Sequence, residues 1–311
     1  MTIKRRHHYV WRKYLKTWAK DDLIWCLRNK RIFKSNLMGI AQERDFYKLN
    51  ELREDDINFI KLYVSSIPDQ NLRDLCNGWA TKFIAASEII RSLRSISPEG
   101  ENKNIDEQID NLIYNTEEDL HSAIEVSSIH TIERLIARKE DAFDDRSNYI
   151  KFIHYLCTQY TRTNSMKQRA ILSDSGPLKV DMSKVWNILS HIVATSIGLS
   201  IIKEQGQWTV VTLINESDTK FITTDQPVIN TFAAFDHQPE DDDELELYYP
   251  LSPTIAILLT KKMFQGAREI IIDNQQAKHY NLSMVSLAYE QIFSSSNTEL
   301  ECLIAKDSDG K

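Results

Sequence analysis

From Val185 to Ile202 the chain runs 18 residues without a charge. That is the length at which a membrane span must be weighed against a buried core helix. Asn187, Ser190, His191, Thr195, Ser196, Gly198 and Ser200 interrupt the run, and hydrocarbon offers no partner for so many polar groups. The stretch therefore reads as a core helix and not as a membrane span. Val185, Ile188, Leu189, Ile192 and Val193 recur at the spacing of a well-buried helical face, with Asp181 placed to cap it. Such a helix needs other layers around it, and 311 residues can supply a sizeable core.

Hydrophobic residues at 42% and charged residues at 27% describe a globular chain, not a disordered one. The net charge of −7 excludes a surface that is basic all over, so a nucleic-acid partner would have to be met by a local patch. Cys26, Cys76, Cys157 and Cys302 lack the paired spacing of a zinc site and sit in apolar or amphipathic runs. They read as free thiols in a reducing compartment. The N-terminus is too polar for a signal peptide, and a cytoplasmic location is expected.

Residues from about 55 to 205 carry helical periodicity. Ser66-Ile67-Pro68 opens a helix whose seam is Leu72, Leu75, Cys76, Trp79, Phe83, Ile90 and Leu93. Ile105, Ile109, Leu112 and Ile113 begin a second stretch, and Ile132, Leu135 and Ile136 continue the pattern in a third. The spacing there points to packing and not to chemistry. Trp208 to Ile214 and Lys220 to Thr223 read as a hairpin about Asn215–Asp218. Leu245 to Tyr249, Thr254 to Leu259, Ile270 to Ile272 and Leu300 to Ala305 are further strands, with a helix marked by Ala277, Tyr280, Asn281, Met284, Ala288 and Ile292 before the last of them. The acidic run Asp236 to Glu246 lacks the ligand spacing of a calcium loop and reads as solvated. Near the N-terminus, Leu23 to Leu27 and Arg31 to Phe33 flank a turn at Arg28-Asn29-Lys30. The fold class expected is α+β in one domain, 1–311. A helical bundle over about 55–205 packs on a small, mainly antiparallel sheet within about 208–305, and the segment 1–50 packs on that sheet.

Residues 4–20 hold seven basic residues and no acidic one, and Trp11, Tyr14, Leu15 and Trp18 fall on one face of a helix drawn through them. The aromatics suit a core. The other face, with Arg12, Lys13 and Lys16, is free for phosphates, and nucleic acid is the partner such a face would take. Glu43 and Asp45 point the same way if extended, which suits a metal or a solvated loop. In the helix from about Ser147, Gln159, Arg162 and Thr163 converge on the last turn. A guanidinium against apolar surface calls for a carboxylate or phosphate. Asp225 stands where a strand stops at Pro227, a rigid support on which catalytic carboxylates are often presented; it also suits bonding its own turn.

In order along the chain, four segments resemble family 4238 of domains of unknown function. The family's opening His-Tyr-Val-Pro and Tyr-Leu-Arg are similar to His8-Tyr9-Val10, with Trp11 in place of proline, and Tyr14-Leu15-Lys16. Its Gln-x-x-Arg-Thr-Pro is similar to Gln159 through Thr163, with Asn164 in place of proline. Its Thr-Ser-Asp-Asn-Pro-Val is similar to Thr223 through Val228, and its Pro-Leu-Ser-Pro to Pro250 through Pro253. The resemblance runs from about residue 6 to residue 295 and implies a shared fold, with no established activity.

Two functions follow from these residues. In the first, His8, Arg162 and Asp225 meet as a proton-transfer group, an anion clamp and a carboxylate for a divalent metal or a general base, with Arg12, Lys13, Lys16, Gln159 and Thr163 binding substrate. That is a metal-assisted phosphodiesterase or nuclease, in a bacterial defence or toxin setting. In the second, a non-catalytic binding or structural partner protein, the same three residues only tie distant segments together, with Arg162 paired to Asp225. Solvent access at Asp225 separates the two.

Overall fold

A computed structural model of the chain describes residues 2–172, 180–236, 245–262 and 268–309. It opens with β1 (Arg6–His8), α1 (Arg12–Leu15) running into a 3-10 turn at Lys16–Trp18, β2 (Leu23–Arg28), β3 (Arg31–Asn36) and β4 (Gln42–Arg44). The helix expected over 4–20 is therefore cut short. Arg6 to His8 find ladder partners in β4, and Trp11 is extended at φ −60°, ψ 123°, so winding starts only at Arg12. Tyr14, Leu15 and Trp18 are buried as their spacing required. The β2–β3 hairpin turns through Asn29 and Lys30, at φ 51° and 60°. That pair of left-handed residues is what a two-residue turn needs to follow the strand twist.

The helical part comprises α2 (Glu54–Ser65), α3 (Gln70–Ile96), α4 (Lys103–Ile136), α5 (Arg146–Thr161), α6 (Asn164–Leu172) and α7 (Met182–Lys203). The Asp69 carboxylate accepts from Leu72 N to start α3, and Asp181 accepts from Ser183 N to start α7. The second and third stretches expected from the sequence are one helix, the 34 residues of α4. Polar residues from Thr116 to Ser128 interrupt the apolar rhythm there, but no glycine or proline interrupts the backbone. Ile60, Val64, Cys76, Phe83, Val185, Ile188, Leu189 and Ile192 form the core shared by α2, α3 and α7. Among the described helices, α7 alone is long and apolar enough to cross a membrane. Since 61% of that window is buried in the fold, it is a core helix.

The rest is β5 (Thr209–Asn215), β6 (Thr223–Thr224), β7 (Ile229–Asn230), β8 (Leu247–Pro250), β9 (Ile255–Thr260), β10 (Glu269–Ile272), α8 (Asn274–Leu287), β11 (Ile292–Ser294) and α9 (Asn297–Asp309). A five-stranded sheet in the order β10-β5-β9-β8-β7 is antiparallel except for the β10–β5 pair. It is covered on both faces: Ile255, Ile257 and Leu259 face the core containing α5 and the N-terminal segment, while Ala256 and Leu258 face α8 through Met284. That double burial makes β9 a continuous apolar run. A second, antiparallel sheet has the order β3-β2-β11-β6.

The hairpin expected between residues 208–214 and 220–223 does not form. β5 lies between β9 and β10, while β6 crosses to the other sheet and pairs with β11. The strand expected at Leu300 to Ala305 is helix α9. Of the acidic run, residues 237–244 lie outside the described residues. The N-terminal segment supplies β2 and β3 of the second sheet and also packs on the strands: Trp18 Nε1 donates to Phe221 O at 2.9 Å, the Tyr14 and Thr223 hydroxyls share a 2.6 Å hydrogen bond, and Tyr14 stacks on Tyr249 at 4.9 Å. The described elements make an α+β fold.

A candidate metal centre

The three motif segments that were expected to meet do converge, but through other atoms. Arg162 caps α5 at 2% exposure, donating from Nη2 to Glu125 at 2.6 Å and from Nε to Tyr9 O at 3.2 Å. Asp225, 1% exposed, accepts from the backbone N–H groups of Tyr289, Glu290 and Gln291 at 2.9, 2.7 and 2.9 Å. The direct Arg162–Asp225 pair is thus replaced by two separate closures, and Asp225 is sealed. Gln291 links the segments, because its side chain donates to the Tyr9 hydroxyl at 2.8 Å. The Thr163 hydroxyl donates to Gln226 Oε1, and Gln226 Nε2 donates to Tyr160 O and Val228 O at 3.0 and 2.7 Å. Gln159 is buried with its Nε2 lacking a protein partner. Burial pushes the Asp225 carboxyl up to about 6 against the pull of its three amides.

The two neighbouring histidines of β1 differ in kind. His7 Nε2 meets Lys4 O and Tyr114 O at 2.8 and 3.0 Å, so it carries the proton, and Nδ1 accepts from Tyr47 N at 2.8 Å. That is a satisfied structural imidazole, completely buried. Neither ring nitrogen of His8 has a protein partner. Burial, then the charges of Arg12 and Arg162, hold His8 down at about 4.

The unexpected chemistry lies on α4. Glu117, His121 and Glu125 stand one turn apart on one face, and all three are buried. α7 brings His191 opposite them, at 1% exposure. One carboxylate oxygen of Glu117 lies 3.5 Å from His121 Nε2 and 3.9 Å from His191 Nε2, and one ligand atom from each of the three residues falls within 4.8 Å of the others. These separations are long for hydrogen bonds. They are somewhat longer than the edges of a coordination tetrahedron, about 3.3–3.4 Å for metal–ligand bonds near 2.0–2.1 Å, so small side-chain shifts would close them on an ion. All four ring nitrogens of His121 and His191, and Glu117 Oε2, lack a protein hydrogen-bond partner. Two imidazoles and one carboxylate suit zinc or Fe(II), with further positions open.

Ring stacking orients the imidazoles. Tyr47, His121, His191 and Trp79 form a column with successive ring centroids 4.5, 5.0 and 4.8 Å apart. Burial raises Glu117 to about 8, lowers His191 to about 3 and puts His121 well below its ordinary value, so the metal-free cluster is neutral at pH 7. Beyond Trp79 lies a largely apolar groove of about 530 Å³ that also touches Lys82, His154 and Gly198. Sequence reasoning missed Glu117 and His121 and passed over His191 as one polar residue in an apolar run. The signal was available in the four-residue spacing Glu117, His121, Glu125.

The basic face is largely neutralised within the fold. Lys13 reaches Glu133 at 2.6 Å, Lys16 reaches Asp22 at 3.6 Å, Lys4 reaches Asp119 at 2.6 Å and Arg5 pairs with Asp45. Arg12 touches the Met38 sulfur. Glu43 sits in β4 opposite His7, and Asp45 is taken by Arg5, so neither joins the histidine cluster.

Fold and site together define an α+β protein with a buried carboxylate–imidazole centre between two long helices. The chain belongs to the family described as Protein of unknown function (DUF4238), whose model matches residues 6–298. No curated protein and no solved structure matches it.

Proposed function

We propose that this protein is a metal-dependent hydrolase of small phosphoesters, with Glu117, His121 and His191 as the metal ligands. The observation that carries this reading is the cluster itself: three ligand atoms within 4.8 Å of one another, with every imidazole nitrogen lacking a protein partner. Leaving so many buried polar atoms unmatched costs about 1–3 kcal/mol each unless something binds them. A divalent ion held there supplies Lewis-acid polarisation and a water acidic enough to attack near neutral pH. Complete burial favours a small substrate over a polymer, and the ion pairs of Lys13 and Lys16 weaken the case for a nucleic-acid strand on the basic face. A cytoplasmic setting agrees with four cysteines that are all free thiols.

His8, Arg162 and Asp225 then take different roles from a shared catalytic triad. Asp225 clamps the turn after α8, and Thr163 with Gln226 joins α5 to the sheet, which is the structural role. Arg162 does both, bracing Tyr9 and standing beside the centre.

The test is metal analysis of protein dialysed against Mn²⁺ or Zn²⁺, followed by hydrolysis of the small diester methyl p-nitrophenyl phosphate. One ion per chain is expected, lost in Glu117→Gln and His191→Ala together with turnover. Full metal content in both variants would refute the centre, and a loaded wild type without turnover would refute the reaction.

A further inference from the structure

Two buried donors beside the proposed centre have no assigned partner. Arg162 spends Nη2 on Glu125 and Nε on Tyr9 O, but its Nη1 bonds nothing in the protein, and neither does the hydroxyl of Tyr47, also 2% exposed. The Tyr47 ring lies 4.5 Å from the ring of His121. Glu125, which holds Arg162, is one turn along α4 from His121, about 6 Å of axial rise. The Arg162 charge is felt at Tyr47, Glu117, His121 and His191, which puts it within electrostatic reach of the centre and of the Tyr47 hydroxyl.

We infer that Arg162 Nη1 and Tyr47 Oη form an anion-binding pair adjoining the Glu117–His121–His191 centre, built for a phosphate or phosphodiester monoanion. The inference rests on the metal reading and adds to it the residues that would hold the phosphate group. A guanidinium N–H and a phenolic O–H are both donors, so they suit an acceptor-only ligand with several oxygens.

Tyr47→Phe removes only the hydroxyl that bonds nothing, so it leaves the ring column and the fold in place. The probe is inorganic phosphate, followed by its ³¹P relaxation on protein loaded with Mn²⁺, with Arg162→Lys as the second variant. Wild type is expected to bind phosphate only when loaded. Tyr47→Phe should weaken it about tenfold, the worth of one hydrogen bond to a charged group, at unchanged metal stoichiometry. Equal phosphate binding by wild type and Tyr47→Phe overturns the pair, and so does a loaded wild type that binds no phosphate. Failure to take up metal at all refutes the metal reading and this inference with it.

Discussion

A buried carboxylate that accepts three backbone N–H groups cannot be replaced by an amide without loss, because the amide turns an N–H₂ toward one of the donors. Asp225→Asn is therefore expected to cost about 2–3 kcal/mol, seen as a melting temperature several degrees lower, whether metal is present or not. An unchanged melting temperature with lost activity would return Asp225 to catalysis. Sequence reasoning picked Arg162 and Asp225 as polar residues in need of partners, and both are buried and partnered. It paired them with each other because Glu125 sits in a stretch whose apolar rhythm is broken. The backbone amides that hold Asp225 were invisible for a different reason: main-chain donors carry no residue signature.

Among the elements, those with strong local periodicity were legible: α3, α5, α7 and β9 stand close to where their spacing put them. Those that failed depend on distant partners. β6 has two residues and is a strand only because β11, nearly 70 positions later, lies beside it. β1 takes the start of a helical pattern because β4 offers it a ladder. The Tyr47–His121–His191–Trp79 column joins the N-terminal segment to α4, α7 and α3, which no single stretch of sequence displays. Trp79 forms its outer end, with the groove beyond it. Trp79→Ala should therefore speed metal uptake several-fold in stopped-flow mixing while weakening the affinity, because His191 loses the ring that orients it. Uptake at the wild-type rate would mean that the ion reaches the centre by another route.

At the scale of the whole molecule, the core that holds Tyr14, Leu15 and Trp18 also holds Phe152, Tyr155, Tyr249 and Ile257. We expect one cooperative thermal transition, and deletion of residues 1–20 should abolish it; a folded remainder, seen as a sharp calorimetric peak, would contradict a single domain. The pH profile follows from the buried titratable groups. Histidines held low (His8, His121 and His191) make stability rise with pH up to about 6.5, because the unfolded chain binds the extra protons below that. Carboxyls held high act oppositely: Glu117, raised from 4.5 to about 8, keeps its proton in the folded state, so stability falls as pH rises through that window. The two trends offset one another below pH 6.5. From pH 6.5 to 8 the metal-free protein should lose about 1–2 kcal/mol in urea titrations. Because an ion needs Glu117 ionised, the stabilisation by Mn²⁺ or Zn²⁺ should grow over the same interval.

The uncharged face of α7 has a consequence for how the chain is made. The helices that cover it, α2, α3, α5 and α6, all precede it in the sequence. On the ribosome they are already synthesised when α7 emerges, so the one described helix apolar enough to attract a translocon meets its own bundle first.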